Sequence, residues 1–207
     1  MKYSEFFDRR KNTFEKSFEL ILQNMNNEKT YQIVELGTTR SFVSDRYNGC
    51  CSPDVCYWYP HEPEFWDWGA GIFTKVFSDN LEGSNYKLYT IDPNSDANKI
   101  VTTMCGNNKN IDIKQEYSFN FLKNIDFKID FLYMDHMESG EEACIQHYQD
   151  SKFIIENSLM SDNGIILIDD VGDNISNTKG KYSIPYLLNN GYRQILSEYQ
   201  VLLQKIE

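Results

Sequence analysis

The sequence predicts an α/β fold in which a mostly parallel sheet carries helices on both faces. Apolar strand-like runs alternate with helical patterns along the chain, as expected of successive βαβ units. The runs at 129–134 and 165–169 are almost continuously apolar, as strands covered on both faces must be. Strand-like runs also deliver carboxylates, at Glu35, Asp92, Asp135 and the Asp169-Asp170 pair. In an open parallel sheet, such strand ends border the binding crevice.

Each element follows from its local pattern. Residues 4–26 read as an amphipathic helix, because Phe7, Phe14, Phe18 and Ile21 recur at spacings of seven, four and three. The NNEKT segment breaks that pattern before a first strand at 31–36, which runs into Gly37-Thr38. Residues 39–68 mix Gly, Pro, Cys and aromatics without a period and read as a long inserted loop. Loops of that length inside a compact domain tend to be functional. Gly69-Ala70-Gly71 opens a helix over 72–81, and Gly83 stops it. A strand at 87–92, a short helix at 95–104, a strand at 111–115 and a helix at 117–125 follow, then the strand at 129–134. A longer helix over 140–160 places Cys144, Tyr148, Ile155 and Leu159 on one stripe, and Asn163-Gly164 turns the chain into the strand at 165–169. The polar loop GDNISNTKG leads to a helix near 182–189, ended by Gly191. Strands at 192–197 and 199–205 close the chain as an antiparallel pair, for seven strands in a single domain spanning 1–207.

Composition narrows the partners. The chain has 207 residues, 31 acidic against 20 basic, for a net charge of −11. With no basic stripe, nucleic acid is not an expected partner, and an acidic surface disfavours anionic membranes. No apolar run approaches the roughly 20 residues of a membrane span, and MKYSEFFDRRKN lacks a signal-peptide core. The five cysteines are odd in number, and free thiols in a reducing cytoplasm account for them. Cys50, Cys51, Cys56 and His61 lack the paired CxxC spacing of a zinc site.

The strand-end acids carry the chemistry. Side by side, Asp135, Asp169 and Asp170 would repel one another unless a cation sits between them or one takes a proton. A hard divalent ion with oxygen ligands, Mg²⁺ by preference, is the expected resident. An acid after a strand also serves as an ordinary helix N-cap, and Asp170 alone would pass for a solvated loop residue. The insert segment CYWYPHEPEFWDW reads in two ways. It is either a lid arching over the strand ends, excluding water and stacking on a ligand, or a hydrophobic flap or homodimer contact.

These motifs resemble the Rossmann-like class I S-adenosylmethionine-dependent methyltransferases. IVELGT resembles their first motif, LYTID their second, and QEYS the segment flanking the adenine. IDFLYMDH and GIILIDD resemble fourth- and fifth-strand motifs of the branch of metal-dependent small-molecule and sugar O-methyltransferases. The segment KGKYSIPYLLNNGYRQILSEYQVLL resembles proteins found with bacterial surface-glycan genes. The likeness spans roughly residues 30–205. It implies that Asp92 binds the ribose hydroxyls, that Glu35, Gly37 and Thr38 hold the amino-acid end, and that Ser118 meets the adenine. Asp135 would border the cofactor and, with Asp169 and Asp170, bind the metal. Asp135 or His136 would serve as general base towards a small-molecule acceptor. The sequence departs from the pattern in reducing the glycine-rich turn to Gly37, followed by Thr38, Thr39 and Arg40. A nicotinamide-dependent oxidoreductase would share the ribose acid, but the chain lacks GxGxxG. A non-catalytic partner protein on the same fold is the other alternative.

Overall fold

The computed structural model describes residues 1–26, 28–70, 72–138, 140–172 and 178–206. Two short 3₁₀ turns, Ser4–Phe6 and Asp8–Arg10, precede helix α1 (Lys11–Asn24). The remaining elements are β1 (Tyr31–Leu36), α2 (Phe73–Asn80), β2 (Tyr86–Ile91), α3 (Ser95–Cys105), β3 (Ile111–Lys114), α4 (Ser118–Asn124) and β4 (Ile129–Met134). Then come α5 (Glu141–Glu156), β5 (Met160–Ile168), α6 (Ser183–Leu188), β6 (Tyr192–Ser197) and β7 (Val201–Lys205). They form one seven-stranded sheet in the order β3-β2-β1-β4-β5-β7-β6. The first five strands are parallel, and β7 runs antiparallel to both β5 and β6. This is the expected architecture. The strand order reverses between β1 and β4, which places the crevice beyond their carboxyl ends.

Two apolar layers cover the sheet. Ile33, Phe131, Tyr133, Ile165 and Leu167 face α1, α2 and α3, packing with Phe14, Ile21, Phe73, Phe77 and Ile100. Their chain neighbours Val34, Leu132, Met134, Ile166 and Ile168 face α4, α5 and α6, packing with Phe121, Leu122, Ile154, Ile184 and Leu187. Alternation along a strand sends successive side chains to opposite faces. Because both faces are buried, β4 contains no exposed residue.

The structure corrects three local readings. Residues 4–26 are not one helix: Asp8 has a positive φ of 46°, and the regular helix begins at Lys11. Asn163-Gly164 lies within β5, which starts at Met160 and shifts register against β4 between the Ile129 and Phe131 pairings. Here the glycine marks a strand irregularity, not a turn. The buried face of α5 comprises Ala143, Cys144, His147, Asp150, Ser151 and Ile154, whereas Tyr148, Ile155 and Leu159 are only partly buried. Of the two readings of the insert, lid or packed flap, its buried aromatics follow the flap. Val43 bridges Trp66, and Trp66 stacks between Trp58 and Trp68 at 5.1 and 5.6 Å. Phe42 and Trp66 are fully buried within the layer that holds α1 and α2. Gly71 of the Gly69-Ala70-Gly71 run and residues 173–177 of the polar loop lie outside the described residues.

Glu35 belongs to this same layer. Its side chain is buried beneath α2, where it accepts hydrogen bonds from the hydroxyls of Thr74 and Thr90. Thr90 is its register partner on β2. Burial pushes the Glu35 carboxyl up to about 8, against the two hydroxyl hydrogen bonds that favour its ionised form. The folded chain therefore holds a proton that the unfolded chain releases above 4.5, so this group costs stability as pH rises from 4.5 to about 8. In thermal unfolding across that range, Glu35→Gln should gain on the wild type as pH rises and level off at the upper end. A pH-independent difference between the two would contradict a buried, protonated Glu35.

Candidate functional site

The last residues of four parallel strands are flush. Leu36 pairs with both Ile91 and Met134, and Met134 pairs with Ile168. The next residues along each chain, Asp92, Gly37, Asp135 and Asp169, consequently form one row across the edge of the sheet. Gly37 makes this row possible. Its φ is +90°, and a Cβ there would lie 2.8 Å from the His136 nitrogen and 2.9 Å from the Asp135 carbonyl carbon. Only glycine accepts both that conformation and that approach. Its own N–H donates to the Ile91 carbonyl at 2.8 Å, tying the ends of β1 and β2, and the Asp135 N–H donates to the Leu36 carbonyl at 2.9 Å, tying in β4.

Asp92 is held by backbone amides. Oδ2 accepts from the Thr38 N–H at 3.3 Å and Oδ1 from the Asn94 N–H at 2.8 Å. Burial raises its carboxyl above the ordinary range, and those two amides oppose the rise. Asp92 lines a cavity of about 850 Å³ together with Gly37, Thr38, Ser118, Asp135 and His136. Tyr117 and Phe119, which flank Ser118, also line it and expose their rings. Glu35 does not line it. The expected cofactor residues therefore come together except Glu35, whose side chain is buried beneath α2 with Thr74 and Thr90.

One wall is tied to Asp150, a fully buried residue of α5 that sequence reasoning missed. The Ser118 hydroxyl donates to Asp150 Oδ2 at 2.8 Å, and Gln146 Nε2 donates to Oδ1 at 3.0 Å. His136 Nε2 lies 2.9 Å from Oδ2, though off the line of a good hydrogen bond. The His136 ring stacks on buried His147, with centroids 4.3 Å apart. His147 Nε2 lies 3.0 Å from the His136 carbonyl, which can only accept, so that nitrogen carries the proton. Burial holds His147 well below the ordinary histidine range, which keeps it neutral. Ser118 is thus a wall residue whose hydroxyl is engaged with Asp150, and His136 stacks beside it with neither ring nitrogen in a hydrogen bond among the described residues.

A second, more polar cavity of about 410 Å³ adjoins the first, sharing Thr38, Arg40, Asp135, Met137 and Glu138 with it. Here the predicted acidic cluster exists: Asp135, Asp169 and Asp170 each offer an oxygen within 4.8 Å of the others. Two cationic side chains, however, already compensate it. Arg10 donates to Asp169 Oδ2 through Nε at 3.0 Å and Nη2 at 2.8 Å. Lys179 lies 2.9 Å from both Asp135 Oδ1 and Asp170 Oδ2. The Tyr133 hydroxyl is 2.7 Å from Asp169 Oδ2 and 3.3 Å from Asp135 Oδ2. This donor set does not fit Mg²⁺, because the oxygens it would need are taken by donors and the charge it would supply is present. Burial and the neighbouring Asp169 push the Asp135 carboxyl up to about 7, while Lys179 pulls the other way. Burial would also raise Asp170, but Lys179 and the Tyr199 hydroxyl hold it below its ordinary value. Arg10, Lys179, Tyr133 and Tyr199 escaped the sequence reading. The only hint was the run Arg9-Arg10-Lys11 in an otherwise acidic chain.

No protein-family model and no curated protein matches the sequence. Among solved structures, the chain is similar to an rRNA methylase from Streptococcus thermophilus (11% identity, TM-score 0.54), with 94% of this chain and 96% of that chain covered. It is similar to the N-methyltransferase NodS from Bradyrhizobium japonicum solved with S-adenosyl-L-homocysteine (10% identity, TM-score 0.52), covering 95% and 88%. It is also similar to a SAM-dependent O-methyltransferase from Thermotoga maritima (11% identity, TM-score 0.53), covering 94% and 65%. The acceptors of these proteins differ in kind, and the architecture is what they share. The chain has the class I methyltransferase fold.

Proposed function

We propose that the chain is an S-adenosylmethionine-dependent methyltransferase acting on a hydroxyl or amine of a small acceptor. A sugar, a nucleotide-linked sugar or a phosphorylated precursor of a bacterial surface glycan is the acceptor class that the strand motifs imply. The observation that carries this reading is the junction of the two cavities at Asp135: one has room for the donor, the other for the acceptor, and they share a carboxyl poised near 7.

The larger cavity fits the cofactor on three features of its floor. Gly37 lines the cavity and, lacking a Cβ, lets the ends of β1 and β4 close up beside it. Asp92 presents a carboxylate, which offers only acceptors and so suits a pair of ribose hydroxyls. Thr38 Oγ1 is buried with no hydrogen-bond partner among the described residues. The rings of Tyr117 and Phe119 are suited to flanking an adenine. When bound, S-adenosylmethionine supplies a methyl group on a positively charged sulfur, ready for in-line displacement. Asp135 would take the proton from the acceptor oxygen or nitrogen as that atom receives the methyl group. Proton removal of this kind contributes about 10²–10⁴-fold, and alignment of the reactants about 7–11 kcal/mol. Lys179 holds Asp135 in place and stabilises its charge when the carboxyl is ionised. His136, stacked on His147, lines only the larger cavity and not the acceptor cavity, so its role is a supporting one instead of that of the base.

Calorimetry should detect binding of S-adenosylhomocysteine and none of NAD, separating this reading from a nicotinamide oxidoreductase. Asp92→Ala should weaken that binding at least about tenfold, the scale of a lost hydrogen-bonded charge; an unchanged affinity would remove Asp92 from the cofactor site. In a turnover assay the rate should rise with pH through about 7, as Asp135 loses its proton. Asp135→Asn should lower turnover by about 10²–10⁴-fold with little effect on S-adenosylhomocysteine affinity. The same assay should be indifferent to EDTA, whereas loss on chelation and recovery with Mg²⁺ would reinstate a metal at the acidic cluster.

A further inference from the structure

We infer that the smaller cavity recognises an anionic group on the acceptor, a phosphate or carboxylate, through Arg9. This rests on the methyltransferase reading and narrows it to a substrate class.

The inference begins with the charges around the cavity. Each of its carboxylates already has a cationic partner among the described residues: Asp135 and Asp170 share Lys179, and Glu138 pairs with Arg40 at 2.9 Å. Asp169, just behind, is matched by Arg10. Arg9 remains. It lines the cavity, is exposed, and among the described residues forms no ion pair and no hydrogen bond. It is nevertheless not a free surface side chain. Its guanidinium carbon sits 3.5 Å from the centroid of the Tyr199 ring, which Arg10 also approaches at 4.8 Å. Tyr199 is itself anchored, its hydroxyl donating to Asp170. Stacking on a fixed ring engages one face of the guanidinium and leaves its in-plane N–H donors available at the edge. That edge is the geometry for a planar oxyanion. The positive φ of Asp8 and the 3₁₀ turn Asp8–Arg10 aim both arginines at the strand ends, so this orientation is set by the backbone.

The same charges rank the acceptor classes. A cationic amine would have to compete with Lys179 and Arg40 for carboxylates that already hold a cationic partner. A neutral sugar could use Asp135 and Asp170 but would leave Arg9 idle. A phosphate or carboxylate uses Arg9, which among the described residues has no carboxylate partner, and it needs such a cation, because the chain as a whole carries −11 and repels anions.

The test is a calorimetric titration of inorganic phosphate, and separately malonate, into the full chain with and without saturating S-adenosylhomocysteine. At least one anion should bind, and Arg9→Gln should weaken it about tenfold, as expected for a lost charge-assisted hydrogen bond. Arg9→Lys should fall between the two, since it keeps the charge without the planar fork. Lys16→Gln, which removes an equal charge from the exposed face of α1, should leave anion binding unchanged. Tighter phosphate than malonate assigns a phosphorylated acceptor, and the reverse assigns a carboxylated one. Absence of binding by both anions, no effect of Arg9→Gln, or equal weakening by Lys16→Gln would overturn the inference. Anion binding that persists while S-adenosylhomocysteine fails to bind would instead sink the methyltransferase reading and leave the Arg9 site standing.

Discussion

The functional edge depends on how closely the chain leaving β1 approaches the chain leaving β4. Gly37 brings the two backbones together where a Cβ would sit within 3 Å of the Asp135–His136 peptide. With that approach, the flush ends of β2, β1, β4 and β5 become a continuous row, and Asp92 and Asp135 face one cavity. Without it, a side chain would wedge the strand ends apart at the point where the strand order reverses. The wide glycine-rich turn typical of nucleotide sites is reduced here to a single residue, and that residue carries the full steric requirement.

A second constraint is charge neutrality in a partly dry space. Three carboxylates meet at the ends of β4 and β5, and burying them unpaired would be prohibitive. The chain answers with Arg10 from the N-terminal turn and Lys179 from the segment before α6, plus hydroxyls from Tyr133 and Tyr199. Segments far apart in sequence are thereby tied to one edge of the sheet, so the electrostatics of the site also fasten the N-terminal region to the body. Asp135 and Asp170 share Lys179 yet diverge, one raised and the other lowered, because Asp135 is pressed by burial and Asp169 whereas Asp170 also receives the Tyr199 hydroxyl. Two acids drawn apart in this way can play different roles at one pH.

Much of the fold was legible from local pattern. The strands at 31–36 and 129–134 and the closing antiparallel pair appear where the apolar runs place them, and the strand-end acids lie along one edge. The misreadings share a cause. In α5, apolar periodicity selects Tyr148 and Ile155, but the helix buries His147, Asp150 and Ser151, which support the cavity wall. A functional face built of polar residues is invisible to a search for hydrophobic ones. The aromatic insert left a lid and a packed flap equally open, because aromatics beside acids suit ligand stacking as well as burial; Phe42 and Trp66 are consumed by the core. The stripe from Phe7 to Ile21 concealed the break at Asp8 because the turn keeps Phe7 on the buried side.

Hydrophobic period and the chemistry at strand ends are properties of a few consecutive residues, so they could be read along the chain: seven strands, their alternation with helices, and acids waiting just beyond three of them. Which partner each acid meets is a different kind of fact. Arg10 lies 159 positions from Asp169 and Lys179 lies 44 from Asp135, separations over which no local signal persists. Only the packed sheet brings those side chains within hydrogen-bond reach. Packing therefore turned a cluster that resembled a metal site into a set of ion pairs, with Arg9 left facing the cavity.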